Sequence, residues 1–116
     1  MKLPRQIYAI RHEPTKKLYI GSSANVRARF KAHMAHLLRG THPVEDMQTD
    51  FNRYGGGYEL LVLGEIQTFA ERGKEYELML QYETYDRRYG YNYKDQGAPH
   101  RASKGTSYRT TTTAYI

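Results

Sequence analysis

Two short runs of β-branched and aromatic residues, Ile7 to Ile10 and Leu18 to Ile20, stand on either side of Glu13-Pro14-Thr15-Lys16, and a helical pattern follows almost at once. Proline presets φ for a turn, and the flanking residues suit a pleated surface, so Gln6 to His33 reads as a hairpin that feeds directly into a helix. Pairing Glu13 with Lys16 across the turn sets Ile10 opposite Tyr19 and Tyr8 opposite Gly21, because side chains alternate faces with a period of two. Tyr8 and Tyr19 then share one face. Gly21 leaves open space beside Tyr8, where a ligand or another backbone can approach closely. A slip of one residue in register would send the two phenols to opposite faces.

Asn25 suits the cap of a helix running to about Arg39 and stopping at Gly40. Val26, Phe30, Met34, Leu37 and Leu38 recur at helical spacing as its buried stripe. Arg29, His33 and His36 fall on a neighbouring stripe that borders the core and can face the tyrosine side of the hairpin. Pro43 suits the first turn of a second helix, Val44 to about Tyr54, ended by Gly55, Gly56 and Gly57, with Met47, Phe51 and Tyr54 as its apolar side. Tyr58 to Glu65 reads as a third strand whose apolar residues occupy both faces, which predicts a central rather than an edge position.

Thr68 and Glu71 form a capping-box pattern that opens a third helix reaching about Tyr85. Tyr76, Met79, Leu80 and Glu83 trace one side of it, and Leu78 and Tyr82 widen the apolar surface. Glu77 sits in this neighbourhood. A lone carboxylate there is costly unless it is paired, solvated in a cleft or bound to a cation, so Glu77 is a candidate metal ligand. Arg87 to Lys94 reads as a tight turn and a short extended piece containing Asn92. From Gly97 onward the chain is polar, basic and poor in large aliphatics, which predicts a domain over 1–96 and a tail or linker over 97–116.

At 116 residues the chain supports one modest domain, and with 39% hydrophobic residues its core must lean on the 12 tyrosines. The absence of cysteine excludes disulfide scaffolds and thiolate zinc sites and is compatible with a reducing cytoplasm. No apolar run approaches the roughly 18 residues that span a bilayer, and the N-terminus lacks the apolar core of a signal peptide, so a cytosolic protein without a membrane partner is expected. A net charge of +6 favours polyanionic partners and salt-sensitive association with phosphate backbones.

Gln6-Ile7-Tyr8 on the first strand, Tyr19-Ile20-Gly21-Ser22-Ser23 on the second, and Arg29 and His33 on the first helix together resemble the GIY-YIG nuclease family. The likeness continues through Asn52-Arg53-Tyr54-Gly55, Glu77 and Gly90-Tyr91-Asn92, so it covers about residues 6 to 93. The Ser-Ser after Gly21 and the long middle section look most like the homing-endonuclease and phage branch. Gln6 stands where the family usually has glycine, a departure that bears on how closely backbone or water approaches the start of the strand. The fold implied is α+β, a small central three-stranded antiparallel sheet flanked by helices in the order β-β-α-α-β-α.

The activity implied is hydrolysis of DNA phosphodiesters, leaving 5′-phosphate and 3′-hydroxyl ends. Such chemistry needs an activated water, neutralised phosphoryl oxygens and a stabilised leaving oxygen. By resemblance Glu77 would hold a single divalent ion, Mg²⁺ or Mn²⁺, since one carboxylate completed by water and phosphate suits a hard cation. Arg29 would bind the scissile phosphate. Tyr8 would be the general base, with His33 as the other candidate for that role. Tyr19 would hold water or phosphate, and Asn92 would orient its neighbours. Lys16, Lys17, Arg27, Lys31, Arg39 and His42 are candidate contacts to double-stranded DNA. A separate DNA-binding region or partner protein would supply specificity. The competing reading is a catalytically silent nucleic-acid-binding module that keeps the fold.

Overall fold

In a computed structural model, residues 4–93 are described, and the predicted tail at 97–116 lies outside them. The elements are β1 (Arg5–His12), β2 (Leu18–Ser23), α1 (Val26–Arg39), α2 (Glu45–Tyr54), β3 (Tyr58–Ile66), a 3₁₀ turn (Phe69–Glu71) and α3 (Lys74–Gln81). The strands form one antiparallel sheet in the order β2-β1-β3. The α+β class and the β-β-α-α-β-α order therefore stand as expected.

The hairpin register puts Ile10 opposite Tyr19 and Tyr8 opposite Gly21. The turn closes through His12 N–H donating to Lys17 O at 2.9 Å, while Lys16 adopts a left-handed φ of 66° and its ammonium pairs with Glu13. Because β1 is the middle strand, layers on both sides cover it, and Ile7, Tyr8, Ala9 and Ile10 are all fully buried. Tyr8, Ile10 and Tyr19 pack beneath α1 and α2 with Val26, Leu37, Val44 and Met47; Ile7, Ala9, Ile20 and Ile66 pack on the opposite face against Met79 of α3.

Several expectations are corrected. β3 is an edge strand, not a central one. Its two-faced apolar pattern arises from a bulge: Ile7 pairs with Gly64 and Tyr8 with Val62, so Leu63 is the extra residue and the alternation breaks there. Leu61 and Val62 are accordingly exposed. Leu38 is exposed rather than buried, and Tyr54 is half exposed, set edge-on to the His12 ring. The third helix is shorter than predicted. Glu71 accepts hydrogen bonds from the N–H groups of Gln67 and Thr68, as a capping box would, but this closes the 3₁₀ turn, and α3 starts after Gly73. It stops before Glu83, whose φ is 56°.

Beyond α3 the chain returns to the outer edge of β2. Leu18 and Gly90 form a parallel bridge, and a Cβ on Gly90 would sit 2.3 Å from the Thr84 Cα, so only glycine fits. Tyr91 anchors this segment by donating to Asp50 Oδ2 at 2.7 Å. No helix among the described residues is long and apolar enough to cross a membrane.

Candidate active site

The start of the site is the pairing of β1 with β2. Tyr8 rises from the central strand and its ring lies across Gly21, where an added Cβ would come within 2.6 Å of the phenol oxygen. The open space expected beside Tyr8 is therefore filled by Tyr8 itself. Tyr19 stands on the same face, and α1 brings His33 over both rings, with ring centroids 6.3 Å from Tyr8 and 5.3 Å from Tyr19. Asn25 caps α1 by accepting from Ala28 N–H at 3.0 Å, which fixes where Arg29 and His33 emerge one turn apart.

His33 Nε2 lies 3.3 Å from the Tyr8 hydroxyl, and His33 Nδ1 lies 2.8 Å from His42 Nε2. The remaining nitrogen of His42, Nδ1, accepts from the Val44 peptide N–H at 3.0 Å. Burial, seconded by the neighbouring His42 and then Arg29, pushes His33 down to about 3; burial and His36 push His42 down to about 4. Both imidazoles are neutral at ordinary pH. Burial raises the Tyr8 phenol above its ordinary value, and the nearby Arg29 guanidinium, whose charge favours the phenolate, only partly offsets it.

Of the two glutamates, Glu75 rather than Glu77 is turned toward Tyr8 and the arginines. Glu77 is exposed on α3, whereas Glu75 is tucked in near Ser22, Arg5 and Arg29. Burial raises the Glu75 carboxyl above its usual range, and the Ser22 side chain and the two guanidiniums only partly offset it. The helix geometry explains the difference. Glu75 lies one turn before Met79, the fully buried anchor of α3, while Glu77 shares its face with the exposed Leu80 and Gln81. Spacing from Met79 was the signal available in the sequence; the apolar neighbourhood of Glu77 was not a face.

Arg5 also belongs to the site, unnoticed in the sequence because it precedes the hairpin motif. It donates to Ser22 O at 2.9 Å and its charge reaches both Glu75 and Tyr8. The site thus straddles the end of β2, where the two faces of the sheet meet. Tyr8 and Tyr19 come from one face and Glu75 from the other, and the charges of Arg5 and Arg29 act on both Tyr8 and Glu75.

Asn92 faces the outer edge of β2, accepting from Ile20 N–H and donating to Ile20 O, each at 3.0 Å. It holds the strand between Tyr19 and Gly21. Among the expected DNA contacts, Arg27, Lys31 and Arg39 are exposed on α1, and Lys16 is exposed on the hairpin turn. Two are corrected. Lys17 is turned inward, 3.6 Å from Asp50 and over the Tyr91 ring. His42 is buried with both ring nitrogens engaged, so it is not a surface contact.

The donor set fits a small hard cation. No cluster of three His, Cys, Asp or Glu residues that could cage a metal exists among the described residues. The ring nitrogens of His33 and His42 are committed to each other, to Tyr8 and to Val44. What remains is the half-buried Glu75 carboxylate, whose negative charge is incompletely balanced, and oxygen donors of that kind, completed by water and phosphate, suit Mg²⁺-like ions rather than zinc.

The family model described as the GIY-YIG catalytic domain matches residues 5–92. Intron-associated endonuclease 1 of Enterobacteria phage T4 is 35% identical over 60 residues, which are 52% of this chain and 24% of that relative's length. The solved catalytic domain of homing endonuclease I-TevI superposes with a TM-score of 0.69 at 27% identity, covering 78% of this chain and 99% of that one. A mutant of the same intron endonuclease domain superposes at 0.67 with 26% identity, covering 78% and 93%.

Proposed function

The chain belongs to the GIY-YIG family, and from that premise we propose that it is the catalytic domain of a divalent-metal-dependent DNA endonuclease of the homing-endonuclease and phage type, leaving 5′-phosphate and 3′-hydroxyl ends. The observation that carries the proposal is the convergence of Tyr8, Arg29 and Glu75: a buried phenol whose oxygen meets His33, the charge of Arg29 acting on both it and Glu75, and a half-buried carboxylate that lacks full compensation.

Each residue has a role suited to its surroundings. Glu75 would hold a divalent ion, Mg²⁺ or Mn²⁺, which would supply Lewis-acid stabilisation of the phosphoryl oxygens. Arg29 and Arg5 add fixed positive charge where the phosphate gathers negative charge, and Arg29 has five N–H donors, enough to serve Tyr8 and a phosphate oxygen together. Tyr8, its phenol proton given up to solvent as the balance of burial against cationic neighbours tilts toward the phenolate, would take the proton of the attacking water, and the departing 3′-oxygen would take its proton from solvent. Tyr19 orients water or phosphate beside it. Asn92 keeps β2 in register, so that Tyr19 and Gly21 stay aligned with Tyr8.

Arg27, Lys31 and Arg39 form the phosphate-contacting side of α1. Sequence specificity falls to a DNA-binding region or partner outside the described residues, in keeping with a match that spans 24% of the phage relative. The test is nicking of supercoiled plasmid by the purified chain with Mg²⁺ and with chelator. Cleavage that needs the metal and leaves ligatable ends is expected; binding without cleavage under every divalent ion would favour the silent binding module instead.

A further inference from the structure

We infer that the Val44 peptide N–H sets the tautomers of His42 and His33 in turn, so that His33 is a hydrogen-bond donor to the Tyr8 oxygen and His42 is the positioning residue that keeps it so. The inference rests on the nuclease reading only in taking Tyr8 as the group served.

The polarity follows from one fixed donor. A peptide N–H can only donate, and it points at His42 Nδ1 from 3.0 Å, so Nδ1 carries no proton. In the neutral imidazole the proton is then on Nε2, and His42 Nε2 must donate across the 2.8 Å contact to His33 Nδ1. His33 in turn carries its proton on Nε2, which faces the Tyr8 hydroxyl at 3.3 Å. Charging His42 would put a second N–H against that of Val44, so the chain of donors excludes the imidazolium without rearrangement. The Tyr8 oxygen is left accepting from His33, with the Arg29 charge acting on it as well, and both favour its anionic form.

The two candidate bases are thereby separated. His33 has its accepting nitrogen filled by His42 and its other nitrogen protonated, so it has no free lone pair for a water proton. Tyr8 retains that capacity. The local sequence supplies the device: Pro43 lies between His42 and Val44, and the His42 ring reaches the N–H two residues on, at the N-cap of α2, which has no side-chain cap of its own. The His42 backbone is tethered as well, its N–H donating to Gln48 Oε1 at 3.0 Å.

Long-range ¹H–¹⁵N spectra of the full chain labelled at histidine nitrogen read the tautomers directly. At pH 7 both His33 and His42 are expected with a protonated Nε2 and an unprotonated Nδ1. Either ring as the Nδ1–H tautomer or as imidazolium would overturn the inference, whether or not the protein cuts DNA. His42→Leu removes the donor to His33 Nδ1 and His42→Gln keeps an amide N–H that can replace it. The expected result is a loss of about tenfold or more in kcat for the leucine variant with KM little changed, most of it regained by glutamine. Equal cleavage by the parent and His42→Leu, with unchanged His33 signals, would also overturn it. Correct tautomers in a parent that never cleaves would sink the nuclease reading and leave the donor chain standing.

Discussion

Tyr8 and Gly21 face each other across the β1–β2 pair so closely that one added methyl would come within 2.6 Å of the Tyr8 oxygen and 2.8 Å of the ring carbon that carries it. The glycine is there to let a full phenol lie against the neighbouring strand, beneath His33 and beside Arg29. Because Tyr8 is fully buried, its ring cannot swing into solvent to escape the clash. Gly21→Ala should therefore fold with a loss of about 1–3 kcal/mol and cleave at least about 100-fold more slowly, since a displaced phenol no longer meets its donors. Urea unfolding and plasmid cleavage of the same preparation check both halves.

Asn92 offers a separable effect. Its amide satisfies both the N–H and the C=O of Ile20, which is completely buried. Asn92→Ala leaves two backbone groups without that partner and should lower stability by about 1–3 kcal/mol, read as a shift of the urea midpoint. Asn92→Asp keeps the acceptor for Ile20 N–H but sets a buried carboxylate oxygen against Ile20 O, so its midpoint should fall at least as far as that of the alanine variant.

Acid sensitivity follows from the histidine pair. Both have folded values, about 3 and about 4, below the ordinary 6.5, so as pH falls below that value the unfolded chain takes up protons that the folded one refuses. Stability is then complete above about 6.5 and declines toward pH 4, by about 1 kcal/mol per pH unit for each histidine. Arg29 and His36, the charged or titratable neighbours of the pair, reinforce the effect, while Glu75, whose value is raised, works against it at the acid end. Denaturant unfolding at pH 7, 6 and 5 measures the slope, and a flat profile contradicts it.

The hairpin, its register and the partnership of Tyr8 with Gly21 were legible because period-two alternation and a proline turn leave few alternatives. Arg29 and His33 were legible because they are one turn apart on a capped helix. The edge position of β3 was hidden by the bulge at Leu63, which makes an edge strand look apolar on both faces. Glu75 was missed because α3 is wrapped in apolar residues and starts later than the capping box implies, so the buried face is defined only by its contact with the sheet through Met79. The histidine pair required the turn at Pro43, a backbone donor that residue identity alone does not reveal.

Charge on α1 should govern duplex affinity. With cleavage silenced by Glu75→Gln, binding is expected to weaken roughly 10- to 100-fold between 50 and 200 mM salt, and Arg27→Ala or Lys31→Ala should each reduce the salt slope by about one. Lys17→Ala should instead lower stability, since its ammonium lies against Asp50 and Tyr91. Fluorescence anisotropy with a labelled duplex distinguishes the two classes.

The most direct measurement compares two glutamates that lie two residues apart on α3. Plasmid cleavage in Mg²⁺ is predicted to fall at least about 1000-fold in Glu75→Ala and to stay within about threefold of the parent in Glu77→Ala, both variants remaining folded. The reverse pattern, or full activity in both, would contradict a site built around the Glu75 carboxylate.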